Sequence, residues 1–160
     1  MSDTNGGVRP IVLALRQLSL GGENHRRRMA KALHIGTTEL AVMNHLQASE
    51  RLTPREVGQR LGITTGSTTA VLDRIERAGY VVRTPNPEDR RSLYLSLTPL
   101  GQRAMTWVLE QHDAQVAEAV AGHAKADLAE FAELINDVGI ALSAPLRDTG
   151  KNKPPKPAKT

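Results

Sequence analysis

Residues 53–79 read TPREVGQRLGITTGSTTAVLDRIERAG. Thr53 followed three residues on by Glu56 is the signature of a capping box, in which a hydroxyl and a carboxylate each take up a backbone N–H at a helix start. Pro54 falls at the first helical position, where its missing N–H costs nothing. Val57 and Leu61 then share one face, and Gly62 predicts a left-handed stop after about two turns, with Ile63 folding back as the hydrophobic contact. Thr64 caps a second predicted helix that runs to Ala78 and stops at Gly79. At 3.6 residues per turn Thr68, Val71, Leu72 and Ile75 line its inner face. Gly66, Ala70, Asp73 and Arg77 take the outer face, flanked by Ser67, Thr69 and Arg74. Two helices joined by a tight glycine turn make a helix-turn-helix.

Downstream, Tyr80-Val81-Val82-Arg83 has strand composition, and residues 84–91 (TPNPEDRR) are rich in breakers. From Ser92 to Leu97 the chain alternates: Leu93, Leu95 and Leu97 face one way, Ser92, Tyr94 and Ser96 the other. The pair predicts a β-hairpin with a long tip, a wing. Thr98-Pro99 repeats the cap-and-proline signal and opens a helix to about residue 121, where Gly122 weakens it. A last helix covers about 126–143, with Leu128, Phe131, Leu134, Ile135, Val138 and Leu142 as its apolar stripe. Upstream, residues 8–33 read as a helix on Ile11, Val12, Leu15 and Leu18, with a kink or break expected at Gly21-Gly22. Another starts near Thr37 or Thr38, either able to cap it, and carries Leu40, Val42, Met43 and Leu46. The fold class is therefore mostly α, an α+β winged helix.

Composition bounds the rest. The chain has 160 residues, 39% hydrophobic but only 2% aromatic, and no cysteine. One domain built on aliphatic residues follows, without disulfides, thiolate metal sites or thiol redox switching. No apolar run approaches the roughly 20 residues that span a bilayer, and a cytoplasmic, nucleoid-associated location is expected. The net charge of +4 is unevenly spread. Residues 51–103 carry nine basic and five acidic residues, whereas 104–146 carry one and seven. The basic middle suits a polyanion and the acidic stretch would repel one. The tail beyond Pro145 holds four lysines and is expected to be disordered.

The stretches LGITTGSTTAVLDRIERAGYV at 61–81 and NPEDRRSLYLSLTPLG at 86–101 carry a family resemblance. With this element order the chain resembles the MarR family of bacterial regulators over about residues 8–143. The D-R-R, alternating strand and T-x-x-G of the second stretch are the more specific part. The resemblance implies a homodimer, a palindromic double-stranded DNA operator and release by a small anionic or aromatic effector whose pocket residues it does not identify. It implies a winged-helix domain over 8–145, with a DNA-binding lobe at about 37–98 and dimerisation helices at about 8–33 and 99–143. Gly21-Gly22 and Ala70 depart from the family pattern.

Helix-turn-helix docking assigns the candidate contacts. Thr53 and Arg55 are placed to touch DNA backbone. Thr65, Gly66, Ser67 and Thr69 allow close approach at a helix N-terminus, whose N–H groups and dipole favour anions. Arg74 and Arg77 reach phosphates or a guanine edge, although Arg77 also has Asp73 one turn back as an ion-pair partner. At the wing tip, Asp89 supports an extended arginine; Arg90 and Arg91 are the candidates for the minor groove, and the family pattern points to Arg91. His25, His34 and His45 lack metal-ligand spacing, and no metal or cofactor is expected. Trp107 reads as a packing residue. No catalytic motif is present, so an enzyme is not expected. The alternative is a winged-helix module for protein interaction or non-specific DNA association.

Overall fold

The capping box forms as the sequence dictates. In the computed structural model, which describes residues 4–87, 89 and 92–145, Thr53 Oγ1 accepts from the Glu56 N–H at 3.3 Å and Glu56 Oε2 accepts from the Thr53 N–H at 2.7 Å. It opens a short helix, the third of the chain. The order is α1 (Thr4–Ala32), α2 (Thr37–Ser49), α3 (Pro54–Leu61), α4 (Thr65–Arg77), β1 (Val81–Pro85), β2 (Leu93–Leu97), α5 (Pro99–Val120) and α6 (Lys125–Ser143). Gly62 ends α3 at φ 63°, and the Ile63 N–H returns to the Gly58 carbonyl at 3.1 Å. Thr64 caps α4 by accepting from the Ser67 N–H. The helices α3 and α4 meet closely at Gly58, where a Cβ would stand 2.9 Å from Thr68 Oγ1.

The strands β1 and β2 pair antiparallel, with Val81 opposite Leu97 and Pro85 opposite Leu93. Leu52, just before α3, exchanges two backbone hydrogen bonds with Leu95 and stitches the wing base to the helix-turn-helix. One core joins these elements: Leu40, Met43 and Leu46 of α2, Val57 of α3, Leu72 and Ile75 of α4, Leu95 of β2 and Met105 of α5 are all nearly inaccessible. Each such side chain contributes about 1.5–3 kcal/mol by leaving water. The described residues up to Asp113 form one compact unit and those from Ala114 on a second, with the boundary falling within α5. In the second unit α6 has no fully buried residue, and Leu128, Ile135 and Val138 are half-buried. Among the described residues no helix is long and apolar enough to cross a membrane.

Four local expectations are corrected. Helix α1 runs unbroken through Gly21-Gly22. Each glycine costs about 1 kcal/mol of propensity, but neither removes a backbone hydrogen bond, so a long helix carries them. The cap of α2 is Gly36, not Thr37 or Thr38, and no side chain caps it. The Glu39 carboxylate instead occupies the space where a side chain at residue 36 would stand. The first strand extends to Pro85, because proline is tolerated at a strand end. Finally, Asp73 does not wait for Arg77: its carboxylate is taken by Arg83 of β1 at 2.6 Å. The basic tail from residue 146 lies outside the described residues.

Candidate nucleic-acid interface

The length of α3, the turn at Gly62-Ile63, the first turns of α4 and the entry of β2 line an open groove of about 810 Å3. Four residues singled out from the sequence line it together: Thr53 and Arg55 from α3 and its cap, Thr65 and Thr69 from α4. Ser92 and Leu93 form the wing side. Gly66, Ser67, Arg74 and Arg77 do not line this groove; all lie on α4 beside it, with Gly66 and Ser67 exposed. Asp89 is exposed, and its carbonyl accepts from the Ser92 N–H at 2.9 Å just ahead of β2. Arg90 and Arg91 lie outside the described residues.

The hydroxyls at the start of α4 are not equivalent. Thr64 Oγ1 donates to Ser67 Oγ at 3.0 Å, leaving the Ser67 proton available. Thr69 Oγ1 donates to the Thr65 carbonyl at 3.1 Å, so its oxygen is left as an acceptor. The cap occupies the Ser67 N–H and the Thr64 carbonyl takes the Thr68 N–H. The N–H groups of Thr65 and Gly66, which have no intrahelical partner, point out of the helix end, and Gly66 has open space where a side chain would be.

Ion pairs brace α4 on both flanks. On one, Arg83 of β1 reaches Asp73 at 2.6 Å and Glu76 at 3.2 Å with its own side chain three-quarters buried. On the other, Arg74 Nε donates to Glu39 Oε1 of α2 at 2.6 Å, where the carboxylate is 5% exposed. Both carboxylates of α4 are thereby occupied. Arg77 is exposed and has no ion-pair partner among the described residues. Arg51 stacks over the Tyr94 ring at 4.6 Å and ties the approach to α3 to the wing. Glu39 and Arg83 escaped sequence reasoning because their partners lie 35 and 10 residues away. No local signal marked Glu39, because the sequence places the cap of α2 at Thr37 or Thr38, whereas the cap is Gly36.

A second cavity, of about 310 Å3, lies between α1, α2 and α5 within the first unit. Gly22, His25 and Arg26 face Leu40 and Asn44 on one side and Val108, Leu109 and His112 on the other. The His25 and His112 rings meet edge to face at 5.3 Å. Gly22 contributes space here, which gives the glycine pair a place other than a hinge. His34 instead terminates α1 at φ 56°, and Trp107 stays at the surface of α5, 36% exposed. Among the described residues no group of three or more metal-ligating side chains converges.

A helix-turn-helix braced between a long-helix scaffold and a two-stranded wing defines the winged-helix class of DNA-binding regulators. Known relatives narrow it. The MarR family model matches residues 35–92. The uncharacterized HTH-type transcriptional regulator YkoM of Bacillus subtilis is 30% identical over 116 residues, covering 72% of this chain and 75% of YkoM. The multiple antibiotic resistance protein MarR of Salmonella typhimurium is 35% identical over 69 residues, 43% of this chain and 48% of that protein. Among solved structures, a MarR family protein from Bacillus stearothermophilus superposes with a TM-score of 0.78 at 17% identity, over 89% of this chain and all of the other; it supports the fold. The chain belongs to the MarR family of transcriptional regulators.

Proposed function

We propose that this regulator is a homodimeric repressor that binds a palindromic operator and is released from it by a small molecule. The groove carries this reading: Thr65 and Thr69 near the N-terminus of α4, the cap of α3 and the base of the wing line it together, with Gly66 and Ser67 exposed beside it. Phosphates are held by Thr53, Arg55 and the α4 N-terminus, and bases are read by Ser67, Thr69, Arg74 and Arg77. The wing tip, with Asp89 supporting Arg90 and Arg91, enters the adjacent minor groove. The second copy covers the apolar faces that α1 and α6 leave exposed: Val8, Ile11, Val12 and Leu18 on one, Phe131, Leu134 and Leu142 on the other. The domain thus spans 8–145, with the acidic helices kept from DNA and the basic tail appended. A cytoplasmic location follows from this role. The cavity between α1, α2 and α5 suits the effector, with Arg26 to meet an anion and Met29, Leu40 and Val108 to meet an apolar ring.

Release needs only a ligand that prefers the spacing of the two α4 helices that does not fit DNA. The test is a footprint on the DNA beside the protein's own coding region, with affinities measured for the protected fragment and for random DNA. Two protected half-sites about one helical turn apart and a specificity ratio of about a thousandfold or more are expected. Arg91→Ala should abolish or greatly weaken binding to the protected fragment while the dimer persists, and removing a phosphate-binding side chain should flatten the salt dependence by about one counterion. Equal affinity for both DNAs would instead favour a non-specific association module.

A further inference from the structure

Glu39 sits in the first turn of α2, away from the groove, with its carboxylate almost wholly buried. A buried ionised carboxylate is costly unless paired, and even a paired one is weak evidence for stability. Its partner is Arg74, whose side chain is 53% exposed on α4. Position 74 continues the outward stripe of Ser67 and Ala70 at helical spacing. Ala70 is too short to reach far, so the arginine one turn on is the first long donor on that stripe. Because the guanidinium is planar, a hydrogen bond from Nε fixes the direction of its two terminal amino groups. Residue 36 leaves room for this arrangement: any side chain there would overlap the Glu39 carboxylate.

We propose that Glu39 is a positioning residue for base recognition, holding the Arg74 guanidinium as a preset fork for a guanine edge in the major groove. This rests on the DNA-binding reading of the same face. The pairing decides which kind of contact Arg74 makes. Glu39 offsets its positive charge, so Arg74 offers phosphates little attraction, but its oriented donors remain suited to guanine O6 and N7. Glu39 and Arg74 therefore contribute to discrimination between sequences and little to general affinity for DNA.

The test uses the full chain, a duplex enriched from a randomised pool by the wild-type protein, and a scrambled duplex of equal length. Glu39→Met is expected to weaken binding to the selected duplex about tenfold, while the scrambled duplex is bound as tightly as before or more tightly, since a negative charge has gone. Arg74→Met should weaken the selected duplex as much, and the double variant should bind it no more weakly than Arg74→Met alone. Arg74→Lys keeps the ion pair and so guards against a folding failure; it lacks the fork and should lose the same discrimination at an unchanged melting temperature. The proposal is overturned if Glu39→Met or Arg74→Lys binds the selected duplex as the wild type does, if both duplexes are weakened in equal measure, or if the effects of the two single substitutions add. If the wild type enriches no sequence at all, the DNA-recognition reading fails first and this one with it.

Discussion

At the scale of single residues, the capping box shows how two side chains define a boundary. Thr53 and Glu56 satisfy each other's backbone N–H groups at the start of α3. The backbone hydrogen bond from Thr53, and after it the one from the Thr53 hydroxyl, hold the Glu56 carboxyl below its ordinary 4.5. A carboxylate with a lowered folded-state pKa contributes its stability in full above the unfolded value and loses it as the pH falls through the folded one. Loss of the N-cap hydroxyl in Thr53→Ala should cost about 1 kcal/mol. Glu56→Gln should lower the melting temperature at neutral pH, and its deficit against the wild type should shrink as the pH drops below 4.5. Thermal melts of both chains over that range measure it; a deficit independent of pH would mean that the ionised carboxylate is not what the cap uses.

At the scale of elements, the wing and α5 meet at one glycine. Thr98 ties the junction three ways. Its N–H donates to the Tyr80 carbonyl and its hydroxyl to the Gly79 carbonyl, and that same hydroxyl accepts from the Gly101 N–H. A Cβ at Gly101 would overlap the Tyr80 carbonyl oxygen. The T-x-x-G of the sequence is thus the point where α5 lies against the turn that leads into β1. Gly101→Ala should cost about 1–3 kcal/mol through overpacking against backbone that has little room to retreat. Chemical denaturation would show it, and a variant as stable as the wild type would mean the junction is looser than its hydrogen bonds indicate. Gly21 and Gly22 carry the opposite lesson. A Cβ at either would meet open space, so they neither stop α1 nor brace it.

At the scale of the whole molecule, the apolar residues split into two populations. Sixteen buried ones among the described residues, from Met29 and Ala30 of α1 to Val108 of α5, close on one another, whereas Ile11 and Val12 of α1 and Phe131, Leu134 and Leu142 of α6 stay exposed. So much uncovered aliphatic surface on amphipathic helices suits association. If the proposed homodimer uses these faces, Phe131→Glu with Leu134→Glu should shift sedimentation from a two-chain to a one-chain mass and weaken binding to the proposed operator, leaving the helix-turn-helix folded. Unchanged mass would mean that α6 is not the seam.

Hydrophobic period, cap chemistry and turn glycines act over three or four residues, so a linear reading reached the helices, the wing and four of the residues that share the groove. The pattern of Thr53, Glu56, Gly62 and Thr64 needed no partner beyond its own neighbourhood. Ion pairs between elements obey no such local rule. Which carboxylate Arg74 and Arg83 would find, and that Gly36 would give way to Glu39, depended on packing α2 and β1 against opposite flanks of α4. The cavity beside His25 and His112 likewise arose only when α1 and α5, far apart in the chain, were brought face to face. Local torsional and hydrogen-bond preferences are written residue by residue; burial and Coulomb interactions are decided by distance in space, which only the folded chain defines.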